Sequence, residues 1–249
     1  MARSIVSAAL PLLVLAGACV DNNADSGLVI LRNIAPELGC AVDPTSSTVR
    51  TSGILEDDAT TGYVFTPVVR NDLVTFDGEN VTAKSIFVTG ARVTIDFYDP
   101  TLFTEAEQAT FDTDGLTKFI VPTSGAIDPD GGVQTFHLEI VPTELLAKIA
   151  PKLAAMTTDP TPDTVLDVRV QFFGTRSGDD VSSNTFRYPV TVCHDCLTNV
   201  LGPCDTLPTD VEIRDGGACG PDQDGVTDCC LAADLTTRVC PAVPPVPTT

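Results

Sequence analysis

This sequence predicts an all-β fold, an antiparallel β-sandwich, from three observations. In most apolar segments, apolar and polar residues alternate, so each strand buries one face and wets the other. Roughly seven such segments are spread over residues 27–192. Helical spacing occurs once and late in that span, whereas a parallel sheet would need helices between its strands.

Leu28 to Leu31 opens the domain as a short apolar run. Residues 61–72 (TGYVFTPVVRND) read as one strand, and Pro67 points to an edge position or a bulge because it lacks an N–H. In 85–98, Ile86 and Val88 share one parity while Val93, Ile95 and Phe97 share the other. That switch across Gly90 predicts a bulge. Residues 117–121 read as a strand. In 133–140, Phe136, Leu138 and Ile140 face one way and His137 and Glu139 the other. Pro142-Thr143-Glu144 then opens a helix with Thr143 as N-cap and Leu145, Leu146, Ile149 and Leu153 as its apolar stripe. Pro151 should kink or end it. Leu166, Val168, Val170 and Phe172 alternate cleanly, as do Phe186, Tyr188, Val190 and Val192, with a polar loop expected over 174–183. Strand number and the late helix resemble an immunoglobulin-like sandwich; a jelly roll remains open because strand order is not readable here.

The N-terminus sets the compartment. Arg3 precedes an apolar run from Ile5 to Leu15 that is too short to span a bilayer, so residues 1–18 read as a cleaved signal peptide. The run ends Leu15-Ala16-Gly17-Ala18-Cys19, which resembles a bacterial lipobox. The resemblance implies acylation of Cys19, palmitate included, and a lipid anchor of two or three chains, enough for stable attachment. Val20, where Asp would favour retention, implies the outer membrane as the address of this lipoprotein. Residues 19–26 then form a polar, lipidated tether.

Nine cysteines fit an oxidising compartment. Setting Cys19 aside leaves Cys40, Cys193, Cys196, Cys204, Cys219, Cys229, Cys230 and Cys240 as disulfide candidates. Seven of these eight lie in the C-terminal segment, so complete pairing forces Cys40 to join a tail cysteine. Adjacent Cys229 and Cys230 should bond elsewhere rather than to each other. Residues 193–240 carry little apolar periodicity and need crosslinks to fold, and 241–249 is a Pro-rich end that should be mobile.

Charge narrows function. Thirty-four acidic against fourteen basic residues give a net charge of −20, which repels phosphate backbones and argues against nucleic acid as a partner. No G-x-S-x-G, H-E-x-x-H or phosphate-cradling Gly-Lys motif occurs. Cys193-His194-Asp195-Cys196 has the spacing of a thiol–disulfide exchange site or part of a zinc site, though structural bridging is the favoured reading. Asp222, Asp224 and Asp228 stand before and after a Gly turn, and an acidic, disulfide-held turn is the favoured reading, with no cofactor; the stretch also resembles part of a thrombospondin type 3 calcium repeat, which makes calcium the alternative. The shorter Asp112–Gly115 and Asp128–Gly131 stretches read as turns.

The segments GARVTIDF (90–97), FRYPVTVCHDCL (186–197) and CGPDQDGVTDCC (219–230), behind a lipobox, resemble cysteine-tailed lipoproteins of myxobacteria and relatives. That resemblance implies the address and the two-part layout but no catalytic residue. The expected function is a lipid-anchored binding or structural module of the envelope with a protein partner, not an enzyme. A calcium-dependent adhesion or assembly module and a periplasmic thiol–disulfide oxidoreductase are the alternatives.

Overall fold

The computed structural model describes residues 26–156, 161–208 and 212–241. Signal peptide, Cys19 and nearly all of the tether and Pro-rich end lie outside the described residues. The chain forms β1 (Leu28–Asn33), β2 (Gly53–Glu56), β3 (Tyr63–Phe65), β4 (Pro67–Asn71), β5 (Ile86–Phe97), α1 (Glu105–Thr113), β6 (Lys118–Ile127), β7 (Val133–Thr135) and β8 (Leu138–Val141). There follow α2 (Thr143–Ala154), β9 (Asp163–Arg176), β10 (Asp179–Ser182), β11 (Phe186–Cys193), β12 (Thr198–Pro203), β13 (Thr227–Leu231) and β14 (Arg238–Val239).

The fold is all-β and sandwich-like. A large sheet runs β2-β11-β9-β5-β6, with β10 folded back on β9. Two smaller sheets, β1-β4-β7 and β3-β8, contribute to the same core, and β12-β13-β14 belongs to the C-terminal segment. The inner face of the large sheet buries Val168, Val170, Phe172, Tyr188, Val190 and Val192. Phe65 meets Tyr188 at a ring distance of 4.9 Å and Phe136 meets Phe172 at 4.8 Å, so the small sheets pack directly on β9 and β11. Leu145, Leu146, Ile149 and Leu153 of α2 join this core, as their spacing predicts. Each fully buried side chain of this size contributes about 1.5–3 kcal/mol.

The bulge at Gly90 is present: the ladders of β5 with β6 and with β9 both shift register between Val88 and Gly90. Four local expectations change. Residues 61–72 form two strands in different sheets, and β4 lies between β1 and β7 rather than at an edge. Pro67 is tolerated there because it is the first residue of β4, and Asn33 Oδ1 accepts from the preceding Thr66 N–H at 2.9 Å. Residues 174–183 are not a loop; β9 continues to Arg176 and turns into β10, with Ser177 and Gly178 at positive φ. Thr143 is the first helical residue, with Pro142 as N-cap, and α2 passes Pro151 to end at Ala154. Pro151 costs α2 the hydrogen bond its N–H would have given to Ala147, and the helix runs only three residues past it.

A second helix, α1, went unforeseen. Thr104 accepts from Glu107 N while Glu107 accepts from Thr104 N at 2.8 Å, a reciprocal cap that starts it. These bonds hold the Glu107 carboxyl down at about 2. Phe111 then anchors α1 against Phe103, with ring centroids 4.9 Å apart.

Candidate functional site

Two polar clusters meet at β2, a four-residue strand whose sequence continues Glu56-Asp57-Asp58. One edge of β2 pairs with β11 in parallel, matching Gly53 to Val190 and Glu56 to Cys193, so the large sheet is not wholly antiparallel. Its other edge receives the tail. Glu56 N donates to Asp222 O and Asp224 N donates to Ile54 O, both at 2.9 Å. Gln223, 4% exposed, inserts its carboxamide alongside β3, accepting from Val64 N at 2.8 Å and donating to Val64 O at 2.9 Å. One side chain thus satisfies both backbone groups of a strand residue. The close approach needs glycine at 217, where a Cβ would lie 1.6 Å from Gln223 O.

Asp224 anchors the first cluster. Its carboxylate accepts from Ile54 N at 2.8 Å and from the Tyr63 hydroxyl at 2.7 Å, and it pairs with Arg50. Tyr63 also shares a 2.8 Å bond with the Tyr188 hydroxyl. Burial, then the Asp224 charge, pushes the Tyr63 phenol far above its ordinary range; burial lifts Tyr188 to about 12. Both hydroxyls therefore act as neutral hydrogen-bonding groups at neutral pH.

The three tail aspartates are each engaged by protein donors. Asp222 accepts from Thr60 N at 3.4 Å, Asp224 holds Arg50, and Asp228 binds Arg214 and, at 2.6 Å, Asn199 Nδ2. Arg214 holds the Asp228 carboxyl well below the usual range. The three carboxylates point to three different sets of donors, and among the described residues no group of three His, Cys, Asp or Glu side chains is arranged to hold a metal ion. Zinc at Cys193 and Cys196 meets a further obstacle, because the two sulfurs are bonded to each other.

All eight candidate cysteines pair: Cys40 with Cys219, Cys193 with Cys196, Cys204 with Cys230, and Cys229 with Cys240. Cys40 does join the tail, and the adjacent cysteines do bond elsewhere. The loop around Cys40 is further held by His137, which is exposed as expected but has Nε2 2.8 Å from Cys40 O.

The second cluster surrounds the short Cys193–Cys196 ring. Asp57 N donates to Cys193 O at 2.9 Å, and Leu197 N donates to Glu56 Oε1 at 2.5 Å. His194 Nδ1 sits 3.1 Å from both Asp57 carboxylate oxygens, and its Nε2 is 3.9 Å from Asp195, which Arg238 clamps. Asp57 is nearly enclosed, its side chain 2% exposed, whereas that of His194 is 44% exposed. Burial pushes the Glu56 and Asp57 carboxyls up, partly opposed by Leu197 N and by His194. The Asp57 hydrogen bond raises the His194 imidazole above its usual value.

Sequence reasoning singled out Cys193, His194, Cys196 and the three tail aspartates but missed Arg50, Glu56, Asp57, Tyr63 and Tyr188. The run of three acids after apolar Ile54-Leu55 was a visible signal, since a carboxylate beside a buried strand needs partners. Comparison with known protein families, curated proteins and solved structures returns no match.

Proposed function

We propose that this chain is a lipid-anchored protein of the bacterial outer membrane that acts as a binding or structural module. The observation that carries this is the cysteine pairing: eight of nine cysteines close into disulfides, and the remaining one is Cys19, at the end of the lipobox. Four bridges suit an oxidising compartment, and a lone thiol behind an apolar leader suits acylation. No helix among the described residues is long and apolar enough to cross a membrane.

A cleft of about 320 Å³ in the tail supports the binding role. It is lined by Leu201, Leu207, Ile213, Val239 and Pro241 beside cysteines of two disulfides, together with Asp215 and Asp228, a mainly apolar surface suited to an envelope protein partner. The test is mass spectrometry of the intact native protein with and without reduction. The expected species begins at Cys19, carries acyl chains, and gains two hydrogens for each of four bridges. An unprocessed or unacylated protein would overturn the reading.

A further inference from the structure

We infer that Cys193–Cys196 is a redox-active disulfide that exchanges with dithiols, with Cys196 as the sulfur that meets substrate and the His194–Asp57 pair as its positioning groups. The inference does not depend on the lipid anchor.

Three features bear on this bridge, the first and third setting it apart from the other three. First, it closes over a sequence separation of 3, against 179, 26 and 11 for the others. Loop-closure stabilisation grows with loop length, so this bond does least to hold the fold. Its residues are already fixed by β11 and by hydrogen bonds to Glu56 and Asp57. Second, its two cysteines differ in exposure, as those of Cys229–Cys240 also do: Cys193 is 3% exposed and Cys196 half-buried. Third, two carboxylates stand nearly out of water beside it, with Glu56 2% and Asp57 4% exposed. Burying carboxylates is costly, and holding one next to an imidazole that opens to solvent is an arrangement suited to proton handling at a thiol.

The exchange balances as follows. The thiolate of an incoming dithiol attacks Cys196 Sγ. The disulfide breaks, its electron pair goes to Cys193 Sγ, and that sulfur takes the proton the incoming thiol released. The second substrate thiol, once deprotonated, attacks the substrate sulfur bound to Cys196 and expels Cys196 as a thiolate, which is then protonated. The dithiol is oxidised by two electrons to a disulfide, and Cys193 and Cys196 become thiols.

His194 lies between the two cysteines in sequence, and its protonated ring would favour thiolate there. The groups that set its charge are Asp57 on its Nδ1, Asp58, and Asp195 with its clamp Arg238. Asp57 contributes most, and its removal should let the proton leave at lower pH.

The experiment uses the mature protein prepared without reductant. Limiting dithiothreitol is added, the reaction is acid-quenched, and alkylated peptides are read by mass spectrometry. The expected result is labelling of Cys193 and Cys196 at least about ten-fold faster than the other six bridged cysteines. In reduced protein the alkylation midpoint of Cys196 should fall below the free-cysteine value of about 8.5. Asp57→Asn should shift that midpoint while the far-UV spectrum stays unchanged. His194→Gln serves if the first variant does not fold. Reduction of all four bridges together, or a Cys196 midpoint near 8.5 that neither variant moves, would overturn the inference.

Discussion

The sandwich and the tail are held by opposite means. The continuous apolar core draws every one of its buried members from residues before Cys193. Beyond it, Cys193, Leu197 and Cys229 are the buried apolar residues among those described. Disulfides show the reverse distribution: every bridge has at least one cysteine at or after 193, and none lies wholly within residues 41–192. A segment that cannot remove enough apolar surface from water must limit its unfolded state by covalent means, and this one does both that and dock on its neighbour.

Three changes test that contrast. The largest effect is expected from removing Cys40–Cys219 with C40S and C219S together. A bridge spanning 179 residues restricts the unfolded chain by roughly 5 kcal/mol in the loop-entropy treatment. Amide exchange should rise across the tail while β5, β9 and β11 stay protected; equal loss in both regions would show that the two are one cooperative unit. Phe172→Ala comes next. It removes a fully buried ring from between the sheets and should cost about 4 kcal/mol in denaturant titration. Under limiting dithiothreitol the Cys204–Cys230 and Cys229–Cys240 bridges should resist reduction in that variant even where the sandwich melts. Asp224→Asn should cost about 2 kcal/mol, because Arg50 loses its charge partner at the junction. Millimolar calcium should leave its melting temperature and that of the parent protein alike; a rise confined to the parent would revive a cation role for Asp224.

Much of the sandwich was legible because alternation reports burial directly. The parity break at Gly90 and the stripe of α2 are the clearest cases, since both follow from side-chain direction along a single element. The β7–β8 segment shows where this stops. Phe136, Leu138 and Ile140 do face inward, yet Val133–Thr135 pairs with β4 and Leu138–Val141 with β3. Which sheet a strand joins depends on partners far along the chain. For α1, the Thr104–Glu107 cap was readable, but the helix buries just Phe111 and so shows no stripe. The junction was the least legible part. Gln223 imitates a backbone, and Asp224 meets Arg50, Tyr63 and Ile54 across more than 150 residues, so the same aspartates that fit a metal loop in sequence serve as struts.

The docking of residues 222–224 on β2 also matters before folding is complete. An unpaired strand edge is a template for a neighbouring chain. The segment that covers β2 lies 170 residues further along the chain, and Cys219 can bond Cys40 only once the two are brought together and oxidised. A molecule whose tail has not yet docked therefore carries an open edge and unpaired thiols, and crowding in that state favours clumping between copies. Refolding yield from reduced, unfolded protein should then depend on how quickly oxidation follows dilution.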